Sequence, residues 1–111
     1  MELDMATFEE LKQMSGADFI DELVDTFLED SPKLVHEMKA ALQSGDADSF
    51  RRAAHSLKSN SATFGATRLS ELSRELEMLG RERRLSEAVP RLPAVEDALA
   101  AASAELKGLR A

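Results

Sequence analysis

The chain has 111 residues, 43% hydrophobic and 32% charged, which suits one globular unit over 1–111 with a sizeable core. It contains no cysteine, so disulfides, thiolate metal sites and thiol nucleophiles are excluded, and a reducing cytoplasm is the expected compartment. A net charge of −7 disfavours nucleic acid and anionic membrane surfaces. No apolar run approaches the roughly 20 residues of a bilayer span.

In chain order, Thr7 and Glu10 have the spacing of a capping box and predict a short first helix, about 7–14. A second helix, about 17–43, carries Ile20, Leu23, Val24, Phe27, Leu34, Val35, Met38 and Leu42 on one stripe. Pro32 is expected to kink or split it near Ser31. Asp46 can cap a third helix, about 47–64, and Thr67 a fourth, about 67–80. The fourth shows a bundle seam in Leu69, Leu72, Leu76 and Leu79. A last helix, about 86–108, uses Leu92, Val95, Leu99, Ala102, Leu106 and Leu109, with Pro90 and Pro93 near its start. No segment alternates as a strand would. The pattern predicts an all-α protein, an antiparallel four-helix bundle with a short additional N-terminal helix. The five glycines are scattered singly, so no phosphate-cradling loop and no nucleotide site is expected.

Charge is unevenly spread. Residues 1–50 hold 13 acids and 3 bases, whereas 51–111 hold 8 acids and 11 bases. Such a balance fits a protein partner better than a polyanion.

The third helix carries the chemistry. At about 100° per residue, Phe50, Ala53, Ala54, Asn60, Ser61 and Phe64 fall on the side of Leu57, which predicts the core face. His55 projects about 160° from Leu57, towards solvent, among Asp48, Arg51, Arg52, Lys58, Ser59 and Ala62. Neutral imidazole is a good nucleophile near neutral pH, and a phosphoryl group on it would bring roughly two negative charges. Lys58 is one turn away and can meet that charge, while Ser59 and Ala62 leave room for a partner.

The stretch from Ala54 through His55, Lys58, Ser59 and Phe64 to Ala66 resembles the signature of histidine-containing phosphotransfer (HPt) domains. Leu69, Leu72, Leu76 and Glu77 continue the pattern, and Phe27-Leu28-Glu29-Asp30-Ser31-Pro32 looks like the family's second helix. The resemblance covers about 17–107. It implies that His55 is phosphorylated, that Lys58 is its basic neighbour, and that Gly65 closes the third helix beside the fourth. Many members have glycine where this chain has Ser59. The implied function is a phosphorelay carrier without kinase activity of its own, taking a phosphoryl group from one receiver-domain aspartate and giving it to another. The implied partners are response-regulator receiver domains or a hybrid histidine kinase. The receiver brings its own Mg²⁺, so no cofactor is expected here.

Arg51, Arg52, Ser59, Ala62 and Phe19 are the expected partner-binding residues, and Phe8 is a further candidate. A monomer is expected. A metal site is not, because His36 and His55 are 19 residues apart and cannot share a helical face as i, i+4 ligands do. Arg81, Arg83 and Arg84 read as charges that complement a helix C-terminus. The competing function is a helical adaptor that binds a receiver or kinase with His55 incidental. Ending at Ala111 without a linker, the chain reads as a free-standing or excised module.

Overall fold

The computed structural model describes residues 2–110, so the two terminal residues of the predicted 1–111 unit lie outside the described ones. Helices α1 (Met5–Ser15), α2 (Ala17–Ser44), α3 (Ala47–Thr63), α4 (Thr67–Arg81), the single turn α5 (Leu85–Ala88) and α6 (Leu92–Leu109) make an all-helical fold. Among the described residues the nearest thing to a strand is an isolated bridge between Leu3 and Ala66. α3 packs against both α2 and α4, and α6 packs against α2 and α4 as well. Met38, Phe50, Leu57, Leu69, Leu76, Val95 and Leu106 are fully buried between them. Among the described residues no helix is long and apolar enough to cross a membrane.

Local chemistry sets the helix ends, not always where the sequence pattern puts them. Asp46 caps α3 as expected, its carboxylate accepting the Ser49 N–H at 3.0 Å. α1 starts earlier than predicted. Its cap is Asp4, which accepts the Ala6 N–H at 3.1 Å, and Thr7 lies inside the helix donating its hydroxyl to Asp4. The Thr7–Glu10 box is therefore not the cap, because a carboxylate three residues upstream already takes that role. Thr67 likewise does not cap α4; Ala66 holds the position without a side-chain bond, and the Thr67 hydroxyl turns back to the Gly65 carbonyl.

Pro90 and Pro93 each fall in the first two positions of a helical element, as expected, whereas Pro32 does not split its helix. α2 runs through Pro32 unbroken. Phe27, Ser31, Val35 and Met38 anchor both halves of the helix in the core, while Pro32 faces solvent, so the loss is confined to one hydrogen bond. The predicted last helix is instead interrupted. Val89–Arg91 form a 3₁₀ turn between α5 and α6. Pro90 and Pro93 each lack an N–H, and two missing donors three residues apart leave no regular α-helical ladder before Leu92.

Two features fix how α3 meets α4. Gly65, in the tight connection between them, has φ +77°, and a Cβ there would come 2.8 Å from the Asp4 carbonyl oxygen. Its own carbonyl accepts the Asp4 N–H at 2.8 Å and the Thr67 N–H at 2.9 Å, so the glycine ties the N-terminal segment to the start of α4. Gly80 lies on the α4 face against α3, where a Cβ would sit 3.1 Å from Arg51 and Phe50. The absence of a side chain there lets the two helices approach closely.

Candidate functional site

α3 turns Leu57 and Ala54 into the core, which sends His55 outward as the helical spacing predicts. The His55 side chain is 55% exposed. On one side it borders a groove between α2 and α3, lined also by Asp30, Lys33, Glu37, Ser59 and Asn60. On the other it meets Glu77 of α4, whose Oε2 lies 2.8 Å from the imidazole Nδ1.

Glu77 is 4% exposed and is the only charged residue in the core among those described. A buried carboxylate needs partners. Lys58 supplies its Nζ at 2.6 Å from Oε1, and Arg81, one turn further along α4, places Nη2 at 3.4 Å from Oε2. Burial works to raise the Glu77 carboxyl, but the hydrogen bonds from Lys58 and His55 outweigh it and hold the group below its ordinary value of 4.5.

An ionised carboxylate can only accept, so Nδ1 of His55 carries the proton and donates it to Glu77. In the neutral ring the proton then sits on Nδ1, and Nε2 keeps its lone pair. The ring is held in one orientation and one tautomer, with its basic nitrogen on the edge away from the buried carboxylate.

The other expected residues fall into place around this centre unequally. Arg51 and Arg52 both engage Asp48 on their own helix, at 2.8 and 3.2 Å. Their bonds, that of Arg51 first, hold the Asp48 carboxyl below the usual range. Ser59 and Ala62 are exposed on the His55 side of α3, and Phe19 is exposed near the start of α2. Phe8 is not available to a partner: at 2% exposure it is part of the core, where α1 packs on α2. His36 is exposed and remote in sequence from the site. Among the described residues no three His, Asp or Glu side chains gather as a metal site would require.

Glu77 has no role in the sequence pattern beyond the family resemblance, and Arg81 reads there only as a helix-end charge. The available signal was a carboxylate on the apolar side of α4, flanked by Ser73, Leu76 and Gly80, with an arginine at i+4.

Comparison with known proteins agrees with this architecture. The crystal structure of histidine-containing phosphotransfer protein B from Pseudomonas aeruginosa PAO1 superimposes with a TM-score of 0.93 at 33% identity, covering 98% of this chain and 94% of that one. A protein from rice assigned as a histidine-containing phosphotransfer protein shares the fold at 18% identity, with a TM-score of 0.85 over 96% of this chain and 78% of its own. No curated protein sequence matches the chain. The family model described as Hpt domain matches residues 22–105, a span that contains His55, Lys58, Glu77 and Arg81. With that span covering most of α2 through α6, the chain belongs to the Hpt domain family.

Proposed function

We propose that this chain is the histidine phosphotransfer module of a two-component phosphorelay, a single domain folded as an antiparallel four-helix bundle with an additional N-terminal helix. The observation that carries this reading is the bond from His55 Nδ1 to the buried Glu77 carboxylate, which leaves an unprotonated Nε2 on an exposed ring.

In this reading Nε2 attacks the phosphorus of a receiver's aspartyl phosphate. A P–N bond forms, the P–O bond breaks, and its electron pair leaves on the receiver carboxylate. The ring then carries positive charge with its proton still on Nδ1, facing Glu77, which stabilises it as a carboxylate stabilises a catalytic imidazolium. Lys58 holds Glu77 in place and offsets part of the phosphoryl charge. Return of the group to a second receiver reverses these steps. Arg51, Arg52, Ser59, Ala62 and Phe19 form the docking surface, and Gly65 keeps the helix corner in shape. Contact is brief and small, on the order of 1,200 Å² or less in total, as a shuttle requires. The partners are receiver domains or a hybrid histidine kinase in the cytoplasm; the module is a monomer and does not phosphorylate itself.

The test is intact-mass analysis after mixing the chain with phosphorylated receiver domains, with His55→Gln in parallel. One acid-labile phosphoryl group on the wild type and none on the variant is the expected result. Stable receiver binding by both proteins without transfer would replace this reading with that of a helical adaptor.

A further inference from the structure

Glu77 is one unit charge with two cations on it. Lys58 and Arg81 are held there in different ways. The Lys58 contact is 2.6 Å and its side chain is 29% exposed; the Arg81 contact is 3.4 Å and its side chain is 66% exposed. Arg81 also shares Oε2 with His55 Nδ1, which sets the guanidinium beside the imidazole. As the last residue of α4 it has no following helical turn to restrict its reach.

We propose that Arg81 is a mobile phosphoryl-binding arm: when His55 Nε2 carries a phosphoryl group, the Arg81 guanidinium leaves Glu77 and bonds the phosphoryl oxygens while Lys58 stays as the counter-ion of Glu77. This rests on the reading of His55 as the phosphoryl carrier. The physical grounds are three. A planar guanidinium fork matches a phosphoryl group bidentately, which an ammonium cannot do. A long, exposed ion pair costs little to give up. Moving Lys58 instead would strip the buried carboxylate of its shortest bond, and burial penalises a carboxylate left bare. No covalent bond changes in the swing; one ion pair is exchanged for charge-assisted hydrogen bonds to the phosphoryl oxygens.

The experiment phosphorylates the whole chain with phosphoramidate, a small donor that needs no partner surface, and separately with a phosphorylated receiver. Wild type, Arg81→Ala and Arg81→Lys are compared. Nitrogen-15 NMR follows the Arg81 guanidinium and the Lys58 ammonium, and the transfer equilibrium with the receiver is measured alongside. On phosphorylation the Arg81 signals should shift and slow their exchange with water, while Lys58 keeps its Glu77-bound signal. Arg81→Ala should move the equilibrium about tenfold towards the receiver, the equivalent of one charge-assisted hydrogen bond, and Arg81→Lys should recover part of it. Melting temperatures should not change, which separates the effect from a structural one. An unmoved Arg81 signal, a wild-type equilibrium in Arg81→Ala, or release of Lys58 from Glu77 would each overturn the proposal while leaving His55 phosphorylation intact. A wild-type chain that takes no phosphoryl group from either donor would reject the carrier reading, and this proposal with it.

Discussion

His55 on α3 and Glu77 on α4, 22 residues apart in sequence, are joined by a 2.8 Å hydrogen bond from the exposed imidazole to a buried carboxylate. The bond couples a residue that solvent can reach to one that it cannot. Burial gives the carboxylate a fixed position, and the carboxylate passes that fixity to the ring.

Glu77→Gln keeps the shape and removes the charge. Without an ionised acceptor the proton is free to move to Nε2, the nitrogen that attacks in the proposed transfer. Phosphorylation of His55 by phosphoramidate should slow roughly tenfold to a hundredfold. The imidazole nitrogen-15 shifts should show the Nε2–H tautomer gaining population. An unchanged rate with an unchanged tautomer would mean Glu77 does not orient the ring.

The same carboxylate predicts an acid limb in stability. The Glu77 carboxyl titrates lower in the folded chain than its ordinary 4.5, because the Lys58 and His55 hydrogen bonds overcome burial. The folded state therefore binds fewer protons there than the unfolded chain does. Its stabilisation is complete above about pH 4.5 and is lost as pH falls through the lower folded value. Urea unfolding at pH 7, 4.5 and 3 should show the wild type losing its advantage over Glu77→Gln as the medium is acidified. A constant difference across that range would contradict the linkage.

Lys58→Ala leaves Glu77 buried with a weaker set of partners. It should destabilise the fold by about 1–3 kcal/mol, the cost of removing one charged partner from a buried group. Transfer from a receiver should also slow. Equal stability of the variant and wild type in denaturant unfolding would show that His55 and Arg81 suffice to hold the carboxylate.

Gly65→Ala should be costly where Gly108→Ala is not. At Gly65 the positive φ alone costs an L-residue about 1–2 kcal/mol, and its Cβ would push against the Asp4 carbonyl at 2.8 Å. A Cβ at Gly108, inside α6, meets nothing within 4 Å, so alanine there should be neutral or stabilising by up to about 1 kcal/mol. Thermal melts of both variants test this, and similar values for the two would remove the argument for the corner.

Much of the site was legible because one helix determines it. Leu57, Ala54 and His55 belong to the same α-helix, and 100° per residue is enough to put the first two inside and the third outside. Asp46 as the cap of α3 is a contact three residues long and was readable for the same reason. Local signals failed where two of them competed: Asp4 against Thr7 at the start of α1, and, as regards a split near Ser31, Pro32 against a helix whose core face continues on both sides of it.

What the sequence by itself determined, then, is what depends on neighbours within about one helical turn: the helices, their apolar faces, and the outward direction of His55. What only the tertiary structure decided is the partner of that histidine. Glu77 reaches His55 because Gly80 lets α3 and α4 close together, because Gly65 turns the chain between them, and because the core fixes the rotation of α4 about its axis. No spacing along the chain encodes those three relations together; they exist only once the apolar faces have packed.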